Sequence, residues 1–365
     1  MQALILAGGE GTRLRPLTSA VPKPVVPLVD RPFIGFMLDW LRGHGVDDVI
    51  MSCGFLASGV HNVLGDGSAY GMRLRYVEEP QPLGTGGALK FAEPLLDERF
   101  LMLNGDVLTD IDLTAQMEQH ERTGASGTLA LVPVEDPSNY GLVRVAEDSS
   151  VLEFLEKPEG DVGINTISAG AYVLERSVLE LLEPEQPASI ERDVFPQLVG
   201  NGLYGCVSEN YWLDIGTPER YLEATFDILE GTVGTAFAER AGDGYLVVEQ
   251  SVECEGRIIP SALVEGGCRI ADGARVGGRV VLESGVMVGP NTVIERAVVM
   301  RGAEIGANCT LSGCIIGGGA RIGDNTHITG LSVLGEGVTV GADNMLANGA
   351  RLFPGVDIPD GGILF

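Results

Sequence analysis

The stretch LILAGGEGTRLRPLTSAVPKP, residues 4–24, places Gly8, Gly9 and Gly11 directly behind a short apolar run and follows them with Thr12, Arg13 and, between two prolines, Lys23. Glycines that follow a first strand let backbone N–H groups come close to phosphate oxygens, and a cation beside them neutralises the phosphate charge. Neither of two common phosphate loops fits. The pattern G-x-G-x-x-G needs a third glycine where Leu14 stands, and the Walker loop needs a lysine straight after a glycine. The residue types therefore predict a phosphate loop of another kind, with Arg13 inside it and Lys23 at its end.

The rest of the composition narrows what such a loop binds. With 51 acidic against 24 basic residues the formal charge is −27, which repels nucleic acid and anionic lipid. A small anion binds such a chain only where local cations or a metal overcome that field, and the opening loop is such a place. No apolar stretch approaches the roughly 20 residues of a membrane span. The start MQALILAGG has no basic segment ahead of its apolar run, so it does not read as a signal peptide, and a cytoplasmic protein is expected. Six cysteines (Cys53, Cys206, Cys254, Cys268, Cys309, Cys314) show no C-x-x-C pair and no neighbouring histidines, so they read as small core residues rather than zinc ligands or disulfides.

Strands and helices must hold the loop in place. QALILAG reads as a buried strand, IGFMLDWLRGHG as a helix stopped by glycine, DDVIMSC and LRYVEEP as strands, GGALKFAEPLL as a helix and FLMLNGD as a fourth strand. This alternation predicts an α/β fold with a Rossmann-like sheet covered on both faces. TLALVPV, YGLVRVAE and VLEFLEKP follow as closely spaced strands, so the sheet is expected to be mixed, and RYLEATFDILEG closes a first domain over residues 1–232. The segment around TVGTAFAERAGDG has no sustained periodicity and places a linker at 233–245.

From about residue 246 the pattern changes. Apolar residues fall every six positions at Val264, Ile270, Val276, Leu282, Val288, Ile294 and Met300, slip by one to Ile305 and Leu311, and slip again to Ile316, Ile322, Ile328, Leu334, Val340, Leu346, Leu352 and Ile358. A helix repeats near 3.6 and a strand at 2. A period of six marks a parallel β-helix with three hexads to a coil, about five coils over this span, within a second domain at 246–365.

The opening stretch resembles the signature of sugar-1-phosphate nucleotidyltransferases, G-G-x-G-T-R-L-x-P-L-T followed by P-K-P. PLGTGGAL, LNGDV, YGLV, FLEKP, SIERDVFP and WLDIGTPERY recur in that family in the same order. With the appended hexads, the chain is most similar to the guanylyltransferase branch. The resemblance implies a nucleotidyltransferase domain followed by a left-handed β-helix, and a reaction in which a sugar-phosphate oxygen attacks the α-phosphate of a nucleoside triphosphate and pyrophosphate leaves. Two anions must meet, so charge neutralisation and alignment matter more than a general base.

Carried over motif by motif, the resemblance implies that Arg13 and Lys23 hold the triphosphate, with Gly8, Gly9, Gly11 and Thr12 as the loop backbone. It makes Asp106 and Asp214 the catalytic carboxylates that hold Mg2+, an ion that takes few protein carboxylates and fills its shell with phosphate oxygens and water. Gln81 and the backbone near Gly84 meet the base, with Glu78 and Glu79 as nearby acceptors; Glu156 accepts sugar hydroxyls, Lys157 holds the sugar phosphate, and Gly141 and Asn165 line that side. The tripeptide EKP alone reads as an exposed strand end with a surface ion pair; its place between YGLV and SAGAYVL favours the sugar site. Ser168 stands where these enzymes often carry asparagine, which leaves the sugar open. The substrates implied are GTP and mannose 1-phosphate, with dTTP or UTP and glucose 1-phosphate as the alternative.

Acyl transfer, frequent among β-helix proteins, is not expected: only His327 lies in the hexads, where it reads as a surface residue at a coil corner. A non-catalytic regulatory form is disfavoured by the presence of Arg13, Lys23, Asp106 and Asp214. The exposed coils are expected to make the chain a homodimer or larger.

Overall fold

The apolar run at the start forms the central strand of a nine-stranded mixed sheet. In the computed structural model, which describes residues 1–54, 56–160 and 162–364, β1 (Gln2–Leu6) lies parallel to both β2 (Asp48–Cys53) and β4 (Arg99–Asn104), and β3 (Arg73–Glu78) extends the sheet beyond β2. Helices α1 (Phe33–Gly43), α2 (Ala57–Leu64) and α3 (Gly84–Ala92) make the crossovers. Ala3, Leu4 and Ile5 are fully buried, as a strand covered on both faces requires. After β5 (Val107–Thr109) and α4 (Leu113–Thr123), the strands β6 (Gly127–Pro133), β7 (Gly141–Val145), β8 (Val151–Glu156) and β9 (Thr166–Glu175) complete the mixed half, with β10 (Leu203–Val207) at the end. The order is β8-β7-β9-β4-β1-β2-β3, with β6 on β9 and β10 on β6. β9 runs antiparallel to β4, so the sheet is mixed as the sequence implies.

The compact units do not follow chain order. One comprises Met1–Glu10 and Ile34–Asp214; the other comprises Gly11–Phe33 and Ile215–Phe365. In the second unit, residues from Leu246 onward form three parallel ladders of seven, seven and six short strands, the three faces of a left-handed β-helix. The first coil lies ahead of the hexad run, because Leu246 pairs with Ala262 over 16 residues instead of 18 and its apolar residues lose the six-residue spacing.

The first slip in the hexads falls earlier than the sequence suggests. Val299, not Met300, joins the inward stack, paired with Leu282 on one side and Ile316 on the other. The corners explain this. At the corner leading into the first face, six-residue sides turn on two successive left-handed residues, Gly330 and Leu331 or Asn348 and Gly349, whereas the five-residue sides turn on one, Arg296 (φ 49°) or Gly313 (φ 59°). Another corner stacks Asn291, Asn308 and Asn325, residues that tolerate this conformation, with the Asn308 amide donating to Asn325 at 3.2 Å and Asn325 to Asp343 at 3.0 Å. His327 sits half-buried in a strand rather than at a corner, since Thr310 and Met345 pair with it on either side.

The first face of the β-helix is apolar outside as well as inside. Leu263, Val281, Val298, Ile315 and Val333 point away from the inward stack and are nonetheless buried. Two segments of the same unit are tied to this face. Glu230, following α5 (Pro218–Leu229), accepts from Arg279 at 2.8 Å, while Arg351 Nη1 donates to the Arg15 carbonyl at 2.9 Å. Tyr221 Oη in turn donates to the Pro27 carbonyl at 2.6 Å. The 233–245 segment holds a short helix, α6 (Ala236–Ala241), capped by Thr235, with Phe237 buried. Cys53, Cys268, Cys309 and Cys314 are buried free thiols, Cys206 is half-buried and Cys254 is exposed. Among the described residues no helix is long and apolar enough to cross a membrane.

One buried acid in this unit gives the fold a pH dependence. Burial pushes the Glu283 carboxyl from 4.5 up to about 7, against the hydrogen bond it accepts from the Arg301 N–H at 3.0 Å. The folded state therefore keeps a proton that the unfolded chain releases. This stability is present below about pH 4.5 and is lost as pH rises through 7. Relative to wild type, Glu283→Gln is expected to gain on the order of 2–3 kcal/mol at pH 8 compared with pH 5. Denaturant unfolding of both proteins at the two pH values checks this, and an equal difference at both would refute it.

Candidate active site

Two short strands bring the segments carrying the predicted carboxylates together. β11 (Trp212–Asp214) pairs antiparallel with β5, and its register sets Asp214 opposite Val107, the residue that directly follows Asp106. The turn carrying Asp106 is held against the end of β1 by the Gly105 N–H, which donates to the Leu6 carbonyl at 2.9 Å. A Cβ at Gly105 would lie 2.6 Å from that carbonyl oxygen, so only glycine lets the turn approach. Asp106 and Asp214 are both half-buried. Asp214 Oδ1 accepts from Tyr140 Oη at 2.6 Å; the Tyr140 ring meets Trp212 edge-on at 5.3 Å, and Trp212 Nε1 donates to the Ala169 carbonyl at 2.8 Å. Aspartate carboxylates of this kind, one of them fixed by a tyrosine, are hard-oxygen donors of the sort a divalent cation takes while phosphate and water fill its remaining positions. Tyr140 and Trp212 carry no expected role from the sequence, although both lie in quoted motifs, YGLV and WLDIG.

Of the residues expected at the sugar, the structure joins Gly141, Glu156 and Lys157. Glu156 pairs with Gly141 across β8 and β7, and a Cβ at Gly141 would sit 2.9 Å from Glu156 Oε2. Burial raises the Glu156 carboxyl and Glu191 adds to it, while Lys157, with Nζ 3.7 Å from Oε1, opposes both. Asn165 is exposed, and the antiparallel pairing of Ile167 with Leu142 carries Ser168 toward Gly141 and Asn165 away from it. Ser168 Oγ lies 2.9 Å from the hydroxyl of the buried Tyr172.

The loop ahead of α3 has its own supports. Both carboxylate oxygens of Glu79 accept a hydrogen bond, from Ser52 Oγ at 3.0 Å and the Leu83 N–H at 3.1 Å, so Glu79 helps to shape this loop. Gln81 and Gly84 are exposed. Thr85 and Ser189 both donate to Glu191 Oε2 at 2.7 Å, which fastens PLGTGGAL to SIERDVFP. Gly8 packs on Gly54, with a Cβ at Gly8 only 3.3 Å from the Gly54 nitrogen, and Gly9 is open.

In the second unit, Gly11 adopts φ 61°, and its carbonyl accepts from Thr18 Oγ1 at 2.7 Å and the Leu14 N–H at 2.9 Å. The turn Thr12–Leu14 leaves Thr12 and Arg13 exposed, whereas Lys23 is buried, its Cβ 3.1 Å from where a side chain on Gly11 would begin.

Residues 2–231 match the family described as Nucleotidyl transferase. The chain belongs to the nucleotidyl transferase family. Residues 258–360 of this nucleotidyl transferase match a second family, GMPPB C-terminal domain. It is 38% identical to the mannose-1-phosphate guanylyltransferase of Mycobacterium tuberculosis, over 100% of this chain and 98% of that one. It is 34% identical to a probable mannose-1-phosphate guanylyltransferase 1 of Oryza sativa subsp. japonica, over 98% and 97% of the two chains. Among solved structures, HddC from Yersinia pseudotuberculosis complexed with GMP-PN matches at 30% identity and a TM-score of 0.54, covering 61% of this chain and 97% of that one.

Proposed function

We propose that this nucleotidyl transferase moves a guanylyl group from GTP to mannose 1-phosphate, giving GDP-mannose and pyrophosphate. The observation that carries the choice of substrates is the full-length likeness to proteins named mannose-1-phosphate guanylyltransferase. The strand pair that sets Asp214 opposite Val107, the residue after Asp106, supports the chemistry. One bond forms, from a phosphate oxygen of the sugar phosphate to the α-phosphorus. One breaks, between the α-phosphorus and the oxygen bridging to the β-phosphorus, and that oxygen leaves with pyrophosphate. The attacking oxygen is already ionised, so the protein's task is to neutralise and align two anions.

In this reading Arg13 and Lys23 neutralise the triphosphate, and Gly8, Gly9, Gly11 and Thr12 supply the loop backbone. Glu156 accepts sugar hydroxyls, Lys157 holds the sugar phosphate, and Gly141 lines that side with Ser168 across from it. Asp106 and Asp214 would hold Mg2+, which when bound supplies positive charge against the phosphate oxygens. Tyr140 keeps Asp214 in place. Residues 1–232 form the catalytic part, 233–245 the linker and 246–365 the β-helix of a cytoplasmic homo-oligomer.

Guanine presents a ring N–H and an amine, two donors side by side. Gln81, Glu78 and Glu79 are the acceptors assigned to them, Glu79 besides the hydrogen bonds it accepts from Ser52 and Leu83. A site built to hydrogen-bond one base rejects another by leaving buried polar groups unpaired. GTP is expected to exceed UTP and dTTP in kcat/KM by at least about tenfold, roughly 1.4 kcal/mol. Pyrophosphate release over a grid of nucleoside triphosphates against mannose, glucose, glucosamine and heptose 1-phosphates measures this. Preference for dTTP or UTP with glucose 1-phosphate would overturn the guanylyl assignment and leave nucleotidyl transfer standing.

A further inference from the structure

We propose that the second face of the β-helix joins two copies of this chain, with their helix axes antiparallel and a two-fold axis running along the strand that carries Met287. Successive rungs of this face present Glu253, Arg269, Met287, Glu304, Arg321, Thr339 and Asp357, each paired in register with the next. Their partners one residue on, from Ile270 to Val340, point into the core, so these side chains point out. Glu253, Arg269, Glu304 and Arg321 are exposed, Met287 is 40% exposed, and together they line an open groove of about 710 Å³.

The order of these five residues is its own complement. A two-fold axis through the Met287 rung sets Arg269 against Glu304 of the second copy, Glu253 against its Arg321, and Met287 against itself. Within one chain Arg269 already lies 3.2 Å from Glu253 and Arg321 lies 3.9 Å from Glu304. Two such pairs meeting head to tail close into a square of alternating charge, and one square forms on each side of the methionines. Rungs are spaced by about 4.8 Å, so neighbouring squares stay in reach of long side chains. A parallel arrangement would set every rung against its own like and place glutamate on glutamate.

Register matters as much as direction. Moving the axis by half a rung sets Arg269 against Arg321, or Glu253 against Glu304. Among registers that overlap more than three rungs, one other avoids like charges: an axis midway between Glu304 and Arg321, which sets Met287 against Thr339. The Met287 axis is the one that opposes all four charges of the five rungs and buries the exposed thioether on its own mate. The four charged residues of these rungs sum to zero in a chain of net charge −27, and Glu255, Asp324 and Asp360 line the same groove, so the arginines are the charges that draw a second acidic chain to this face.

The proposal is independent of the substrates, and its test uses the full chain without turnover. Light scattering at micromolar concentration is expected to give a dimer. Arg269→Glu/Arg321→Glu, which puts like charges together in either register, is expected to give a folded monomer. Exchanging all four charges, Glu253→Arg/Arg269→Glu/Glu304→Arg/Arg321→Glu, is expected to restore a dimer that does not mix with wild type. In a Cys254→Ser background, Met287→Cys is expected to form a disulfide-linked dimer on air oxidation. A monomeric wild type, or a dimer that survives the double reversal, overturns the interface. Cross-linking by Met287→Cys/Thr339→Cys but not by Met287→Cys alone overturns the Met287 axis.

Discussion

Asp106→Asn is expected to lower turnover by at least ~100-fold, a loss of roughly 3 kcal/mol of transition-state stabilisation, while leaving the fold intact. The substitution keeps the shape of the side chain and removes its charge. Asp106 sits in the turn between β4 and β5, which the Gly105 N–H anchors to the Leu6 carbonyl, so the turn does not rely on the carboxylate alone. What the variant loses, in the proposed reading, is one of two anionic donors, the other being Asp214, which the pairing of β5 with β11 sets opposite the residue after Asp106. Pyrophosphate release at saturating substrates measures the loss, and a thermal melt establishes that the protein remains folded. Near-normal turnover in a folded variant would remove Asp106 from the site.

Ile322→Asp is expected to cost several kcal/mol of stability. Ile322 is 3% exposed and stands in the inward stack of the second face, paired with Ile305 on one side and Val340 on the other. A carboxylate there has apolar neighbours above and below and no partner for its charge. Because coils of a solenoid draw their stability from adjacent coils, the loss spreads to those on both sides. Ile322→Val, which removes one methyl group, is expected to cost only about 1 kcal/mol. Denaturant unfolding of both variants reads the contrast, and a small loss in Ile322→Asp would mean that this position does not face a packed interior.

The hexads were legible because each inward residue must fill the same triangular interior, coil after coil, and only an apolar side chain does so at no desolvation cost. The slips were legible as slips but not in place. Met300 and Val299 are both apolar neighbours, and the choice between them depends on whether the corner turns on one left-handed residue or two. Asn165 and Ser168 show the same limit at the site. Motif order suggested Asn165 for the sugar side, while the antiparallel register of β9 on β7 turns Ser168 toward Gly141 instead. The part Glu79 plays in shaping its loop was not legible, because its hydrogen bonds come from Ser52, 27 residues back, and from a backbone N–H.

The resemblance of LNGDV and WLDIG to a family's motifs singled out Asp106 and Asp214; by itself the sequence determined the alternating α/β domain, the β-helix and the glycine-rich loop after β1. These rest on local periodicity and on residue types whose chemistry travels with them. Tertiary structure alone decided which distant segments meet. Asp106 and Asp214 lie 108 residues apart, and a two-stranded pairing sets the second opposite the neighbour of the first. The outward residues Leu263, Val281, Val298, Ile315 and Val333 form a second apolar column whose signal, an apolar doublet on every third hexad, is visible in the chain, but nothing in the chain says what covers it. Folding gathers Gly11–Phe33, with Arg13 and Lys23, into the same compact unit as the β-helix, and Arg351 on this face donates to the Arg15 carbonyl. An exposed apolar column of that length costs more in water than the loop closure that brings such a segment to it, because the cost of closing a loop grows only with the logarithm of its length.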